Sequence, residues 1–446
     1  MSIKSPLSRQ FGSRFDSVFD VVKSNPVYDK VSRIPTLDLD FAKSKSLYDG
    51  RSTNNLITFT RNSTGTYVGS DGLIKTAAVN EARFDHNPTT GESLGLLVEE
   101  SRTNLITDSS LTTVGAATGA TITSSTETNP ENISFCRRIL SNPGTDVQGH
   151  RLYVNSSSAN TITVSVFVKK DTHRYVYIGF GGISNSFTAL FDIEPGVTAN
   201  RLLGQGGNGT HTNVNAGYQD FPNGWVRIWA SGTTSGINGF TVGFSPDATT
   251  YNITDWSANG TEAFFVYGAQ YEDNVSFPTS YIPTTGATAT RAVDAASISG
   301  SNFSSWHRQD EGTVFAQTQV AGYSSTNNPD LVALFGANFA TDKINMFVAG
   351  ASPNYRAEIR TGNINQLLQN VVSPANIYDS NNFAIAYKEN DSVSYGRNTN
   401  ATDTLVTLPV ITSLYFSGSV GSTKYIRRIT YWDTRLPNEK LKSVTA

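Results

Sequence analysis

Cysteine is all but absent from this chain of 446 residues: Cys136 stands alone, within the alternating run Ile133–Ser134–Phe135–Cys136. An internal disulfide is thereby excluded, and Cys136 reads as a small apolar side chain bound for a core. Charge is scarce too. Asp, Glu, Lys and Arg make up 16% of the residues, where soluble domains carry about 25%. The formal net charge is -3 and the basic residues are scattered, so no stripe exists to neutralise phosphates and no nucleic-acid partner is expected. No run approaches the ~20 apolar residues of a membrane-crossing helix, and the N-terminus lacks the apolar centre of a signal peptide. Synthesis in a cytoplasm, without membrane insertion, is the expectation. Heptads and short-period repeats are missing, which excludes a coiled-coil shaft and a repetitive β-helix.

Catalytic signatures are equally sparse. His86, His150, His173, His211 and His307 are isolated, with no HExxH or HxH spacing and no Cys partner, so no metal site is expected. Nucleophile-elbow and phosphate-loop patterns are lacking. Hydrolysis of a glycan needs two carboxylates roughly 5 to 10 Å apart across a cleft. Asp38 and Asp40 share one side of an expected strand, about 7 Å apart, and read as solvating the outer face of an edge strand. Glu99 and Glu100 are adjacent and face opposite ways, which suits pairing with Arg83 or Arg102. No catalytic residue is assigned and no enzymatic activity is expected.

What fills the chain instead is Ser, Thr, Asn and Gly, with aromatic residues at 11%. Thr, Tyr, Phe and Val fit a pleated surface, and Gly and Asn accept the turns between strands. An all-β fold follows. Only the start differs: Phe11, Phe15, Val18, Phe19 and Val22 recur on one helical face, with Ser8 as a cap and Pro26 as a stop. A short lone helix must bury such a stripe on something, so Phe11, Phe15 and Phe19 are the candidate docking residues. After Pro35 the period becomes two. In Thr161 to Val168, Ile162, Val164, Val166 and Val168 face a core while Thr161, Thr163 and Ser165 face mostly water. Phe277 to Ala296, rich in Pro, Thr and Ala, reads as an extended connector, and few contacts are expected to cross residues 285–297, where the run Thr284 to Thr290 lacks bulky apolar residues. Helix is expected only at the two chain ends, the second over Asn438 to Val444.

Two stretches carry a resemblance. The first joins Leu37–Asp38–Leu39–Asp40–Phe41–Ala42, Ile57–Thr58–Phe59–Thr60–Arg61, Thr66–Tyr67, Ala78 to Asp85 and Gly95 to Leu105. It resembles a module widespread in structural proteins of tailed phages. The second, Phe277–Pro278–Thr279–Ser280–Tyr281–Ile282–Pro283–Thr284 with Thr290–Arg291–Ala292–Val293–Asp294, resembles the exit of the carbohydrate-binding-type jelly roll that follows that module. Tyr425–Ile426–Arg427–Arg428–Ile429–Thr430–Tyr431 and Arg435 to Leu441 are similar to the close of concanavalin-like or laminin-G-like sandwiches of phage fibres. The resemblance implies four units: an anchor over 1–34, a small β module over 35–108, a jelly-roll sandwich over 109–290 and a concanavalin/laminin-G-like sandwich over 291–446. It further implies a virion protein, a tail fibre or spike displaying sandwiches for attachment to host-surface glycan. A capsid or neck decoration protein is the alternative, and a depolymerase tailspike a weaker one. Residues 1–34 would dock on other virion proteins, and closed symmetry of a projecting fibre implies a homotrimer.

Sugar recognition asks for exposed aromatic faces with a few amide or carboxylate partners, sometimes with Ca²⁺. Trp256, Tyr323 and Tyr355 lie near expected strand ends and are the candidate platforms, against packing in a core or between subunits. Trp225 and Trp229 flank Arg227 on one strand face and read as stacking on its guanidinium. No cofactor is expected, although a structural Ca²⁺ is compatible with this reading.

Overall fold

The computed structural model of the chain describes residues 26–51, 55–113, 115–146, 151–154, 161–182, 185–197, 200–207, 211–233, 239–250, 256–324, 326–351, 354–372, 378–396, 399–419 and 421–446. Phe11, Phe15 and Phe19 lie outside the described residues. Strand outweighs helix by 55% to 6%, so the all-β reading holds. The alternating runs build four large sheets, paired into two sandwiches.

The first sandwich is continuous in sequence. One of its six-stranded sheets runs Thr212–Asp220, Trp225–Thr233, Thr161–Lys170, Ala263–Asp273, Ser134–Ser141, Ala120–Thr128. The other runs Leu202–Gly207, Asn185–Asp192, Tyr175–Gly182, Phe240–Phe244, Arg151–Val154, Ala116–Thr118. Ile162, Val164, Val166 and Val168 meet Val176, Ile178, Phe191 and Val242 in the shared core, as the alternation requires. The opposite face of Thr161–Lys170 is not in water, however. Thr163, Ser165 and Phe167 are buried as well, because the chain leaving the sandwich lies over them: Thr163 Oγ1 donates to Val275 O at 2.8 Å.

The second sandwich is assembled from both ends of the chain. Leu37–Leu39, Arg83–His86 and Ser93–Glu99 join an eight-stranded sheet whose centre is Glu311–Tyr323 and Ser422–Trp432. Thr58–Thr60 pairs with Ala295–Ser299 at one edge of the facing seven-stranded sheet. Leu37, Leu39, Phe41, Phe59, Leu96 and Val98 therefore share one core with Ile298, Ile344, Phe383 and Ile429. Apart from the two-stranded hairpin of Gly65–Val68 and Ile74–Ala77, the strands of residues 35–108 join the sheets of the second sandwich or the neck. The first sandwich is an insertion into the second, and the chain passes between them through a two-stranded neck. Outgoing Arg102–Asn104 pairs antiparallel with returning Ala289–Arg291, and Thr103 Oγ1 lies 2.7 Å from Thr290 Oγ1.

Two local expectations change. The helix that Pro26 was expected to stop lies outside the described residues. Pro26 itself begins a helix, Pro26–Val31, consistent with the tolerance of Pro in a first helical turn. Its Val27 and Val31 pack with Trp432, Leu441 and Val444 of the C-terminal segment, and Trp432 Nε1 donates to Arg33 O at 3.0 Å. Residues 26–34 thus belong to the second sandwich. One-turn helices also occur inside the chain, at Phe41–Ser44 and Ser301–Ser304. The C-terminal helix stands where expected, as Asn438–Thr445.

A fragment beginning at Ala296 would lack Leu37–Leu39, Thr58–Thr60, Arg83–His86 and Ser93–Glu99 and leave their sheet and core partners bare. It is expected to show no cooperative thermal transition by circular dichroism. A 105–287 fragment, which keeps both sheets and the core of the inserted sandwich, is expected to melt as a unit. A sharp melt of the first fragment would contradict the insertion.

Candidate functional site

Charge is scarce in this chain, yet a dense group of it lies out of water where the two sandwiches meet. Arg83 Nη1 donates to Glu99 Oε2 at 2.7 Å, and Arg83 Nη2 pairs with Asp294. Arg61 Nη1 reaches Asp294 Oδ1 at 3.2 Å, and Arg291 Nη1 lies 3.2 Å from Glu99 Oε2. All five side chains are at most 1% exposed. Further donors find backbone or hydroxyl oxygens, while Arg83 Nε and Arg291 Nε have no hydrogen-bond partner among the described residues. Arg61 donates to the carbonyls of Ser63, Ala78 and Glu81, Arg83 to Thr66 O, and Arg291 to Glu100 O. Buried guanidiniums are tolerated when carbonyl oxygens and carboxylates replace their hydration.

The backbone around these ions closes on itself. Glu99 N donates to Asp294 Oδ2 at 2.9 Å, and Asp294 N donates to Glu99 O at 3.0 Å. Gly418 N donates to Asp294 O at 2.7 Å. A Cβ at position 418 would come within 2.2 Å of Glu99 O, so only glycine lets this strand approach. Ser280, on the segment returning from the inserted sandwich, donates both its N–H and its hydroxyl to Glu99. Thr279 donates to buried Glu272, and Asn104 ties both passages of the neck by donating to Ala269 O and Ile282 O. Residues 285–288 of the expected connector are exposed, but the chain on either side of them is held, at Thr279, Ser280 and Ile282 before and at Arg291 and Asp294 after.

Burial and partners pull the ionisations apart. Burial alone would raise the Glu99 carboxyl, but Arg291 and Arg83 outweigh it and bring it down to about 2. Burial would lower Arg83, and the Asp294 and Glu99 carboxylates hold it above its ordinary value instead. Asp85 goes the other way: burial pushes it up to about 6 against the Val68 N–H and Arg83. Cys136, buried as expected, has its thiol pushed up to about 11 by burial.

Beside this ionic junction lies a cleft of about 670 Å³, walled by the hairpin strand Gly65–Val68, the outer face of the inserted sandwich, residues 276–281 and the strands Glu311–Tyr323 and Ser422–Trp432. Trp225, Arg227 and Trp229 alternate on that outer face. Trp225 is buried in a small cluster with Phe167, Tyr267 and Tyr281, and its Nε1 donates to Thr128 O at 2.8 Å. The Arg227 guanidinium stacks on Phe167, 5.5 Å from the ring centre, where the sequence pointed to Trp225 and Trp229. Trp229 is half-buried and borders the cleft, its indole lying over Gly217, where a Cβ would meet the ring at 2.6 Å. Gln219, Gln319 and Tyr378 also border the cleft.

The three sequence-derived platforms are not brought together. Tyr355 is fully buried in the core of the second sandwich, 5.6 Å from the Phe383 ring, and presents no face to a ligand. Its inward position follows from parity with Ala357 and Ile359. Trp256 is half-buried on the inserted sandwich, packed against His173 and Phe244 at 5.8 and 6.2 Å. Tyr323 is half-buried with its ring 6.2 Å from that of Tyr378, which places it next to the cleft. Sequence reasoning missed Trp229 and Gln219, because seeing them as a platform requires the register that sets Gly217 opposite Trp229. Asp38 does not solvate an edge: it is buried, and Arg428 grips both its oxygens at 2.9 and 2.8 Å. Asp40 caps Phe41–Ser44 by accepting from Lys43 N. Glu99 pairs with Arg83 and Glu100 with Arg102. Among the described residues no group of His, Cys, Asp and Glu is placed to hold a metal ion. No protein-family model matches the chain, and no curated protein matches it.

Glu99→Gln leaves Arg83 and Arg291 short of an anion in a dry site and is expected to cost roughly 3–5 kcal/mol in denaturant unfolding at neutral pH. Breaking the exposed Asp71–Lys75 pair should cost little. The Glu99 contribution is present above its unfolded value and fades as pH falls towards about 2. Asp85 has the opposite sign: its raised carboxyl makes the charged form costly, and protonation relieves that as pH falls through about 6. Asp85→Asn should therefore be more stable than wild type at about pH 8, with the gap narrowing below about pH 6 and closing only below about pH 4. A gap that does not change with pH would contradict this assignment.

Proposed function

We propose that the chain is a structural protein of a tailed-phage virion, a fibre or spike that displays β-sandwiches towards the host surface and has no enzymatic role. The observation that carries this reading is where the phage-like motifs fall. Arg61, Arg83 and Glu99 of the first stretch and Ser280, Arg291 and Asp294 of the second are the residues of the buried ionic junction. They fasten an inserted sandwich to a base built from both chain ends, the arrangement that a displayed module needs. The absence of a role in hydrolysis is supported by how the carboxylates are spent. Glu99 accepts from Arg83, Ser280 and Thr423, and Asp38 is clamped by Arg428, so neither is left to act on a substrate.

In this reading the chain reaches other virion proteins through Phe11, Phe15 and Phe19 and assembles as a homotrimer, since closed symmetry satisfies identical patches without an open, polymerising surface. Residues 26–34 pack into the second sandwich, which confines a separable anchor to residues 1–25.

Deletion of residues 1–25 should leave a folded protein that no longer joins particles, and light scattering of the full chain should give about three times 48.2 kDa. Antibody labelling of particles in negative stain should decorate the tail. Label on the capsid or neck would favour a decoration protein there, and unlabelled particles would overturn the virion reading.

A further inference from the structure

The cleft at the junction has a chemistry that fastening the sandwiches does not require. Trp229 offers a half-buried indole held flat over Gly217, and Tyr378, exposed, stands on another wall. The amides of Gln219 and Gln319 border the same space. Neither Lys nor His lines it, and its charged side chains, Asp85, Glu99 and Arg227, are all buried and bound by the protein. A volume of about 670 Å³ lies within the roughly 300–1,000 Å³ of small-molecule sites.

A ligand entering this space meets aromatic faces and amides but no unspent charge. Sugar rings match that surface: their C–H faces stack on flat aromatic rings, and their hydroxyls both donate to and accept from amides. An anionic sugar would approach Asp85 and Glu99 against a single lining cation, Arg227. We infer that the junction cleft binds a neutral oligosaccharide, with Trp229 as its stacking surface. The inference deepens the display reading above, on which it rests for its biological meaning, by naming the surface that touches glycan.

The full-length protein is tested on an array of neutral, sialylated and sulfated oligosaccharides, with tryptophan emission followed for each sugar retained. Neutral oligosaccharides should be retained and should shift the emission. Trp229→Ala should weaken retention about tenfold or more, Trp229→Phe should restore part of it, and Trp256→Ala should leave it unchanged. Tyr378→Ala, at an exposed position, should weaken retention and decides the matter if Trp229→Ala does not fold. Retention of no neutral oligosaccharide, retention of charged ones alone, or binding indifferent to both Trp229→Ala and Tyr378→Ala would overturn the inference. Particle labelling separates the two readings. Neutral-glycan binding by a chain absent from particles sinks the virion role and leaves the cleft. A chain on particles that ignores neutral glycans sinks the cleft alone.

Discussion

A carboxylate taken out of water must be given back its hydrogen bonds and a counter-charge, and at Glu99 both come from segments far apart in sequence. Arg83 reaches it from a neighbouring strand, Ser280 and Arg291 from the chain returning out of the inserted sandwich, and Thr423 from the last long strand. Asp294 plays the same part for Arg61 and Arg83. Three guanidiniums against these two carboxylates leave a positive excess. Backbone carbonyls around Arg61 and the nearby carboxylate of Glu272 offset it. Apolar surfaces can slide over one another. A dry set of paired ions accepts one arrangement only, since a shift of one residue strands a buried charge. The position of the inserted sandwich on its base is set here, and the cleft beside the junction inherits its walls from that position.

The cleft follows from the same geometry. A sheet whose outer face is partly covered leaves an uncovered margin, and here the margin holds Trp229 while Trp225 is sealed beneath the hairpin and the returning segment. A rigid wall is what a weak, stacking ligand needs, because little ordering is left to be done on binding.

The sequence showed clearly what is local. Alternation in Thr161–Lys170 identified Ile162, Val164, Val166 and Val168 as core residues, and Pro437 marked the start of Asn438–Thr445. That Glu99 and Glu100 face opposite ways and pair with Arg83 or Arg102 was readable from their adjacency, although which Glu takes which Arg was not. What was not readable depends on which strand pairs with which. Nothing in Leu37–Leu39 announces a partner at Ile429–Tyr431, so the insertion was missed and 35–108 read as a unit. The same gap made Asp38 look solvated, since Arg428 lies far along the chain. The run Thr284 to Thr290 looked loose because it has no bulky apolar residue, and residues 285–288 are exposed, but Ser280 before it and Arg291 and Asp294 after it hold the chain by charge and hydrogen bonds. Tyr355 is a different case: its parity with Ile359 was visible and outweighed by its place near a strand end.

Native-state hydrogen exchange at the amides of Glu99, Ser280 and Asp294, followed one by one, is the most direct test of whether the ionic junction sets the relation of the two sandwiches. All three amides are donated within the junction. If the junction has that role, they exchange only through global unfolding, as slowly as the strand amides around Val166 and Ile429, and all three speed up together in Glu99→Gln. Exchange through a low-energy local opening in the wild-type protein, while those strands stay protected, would contradict it.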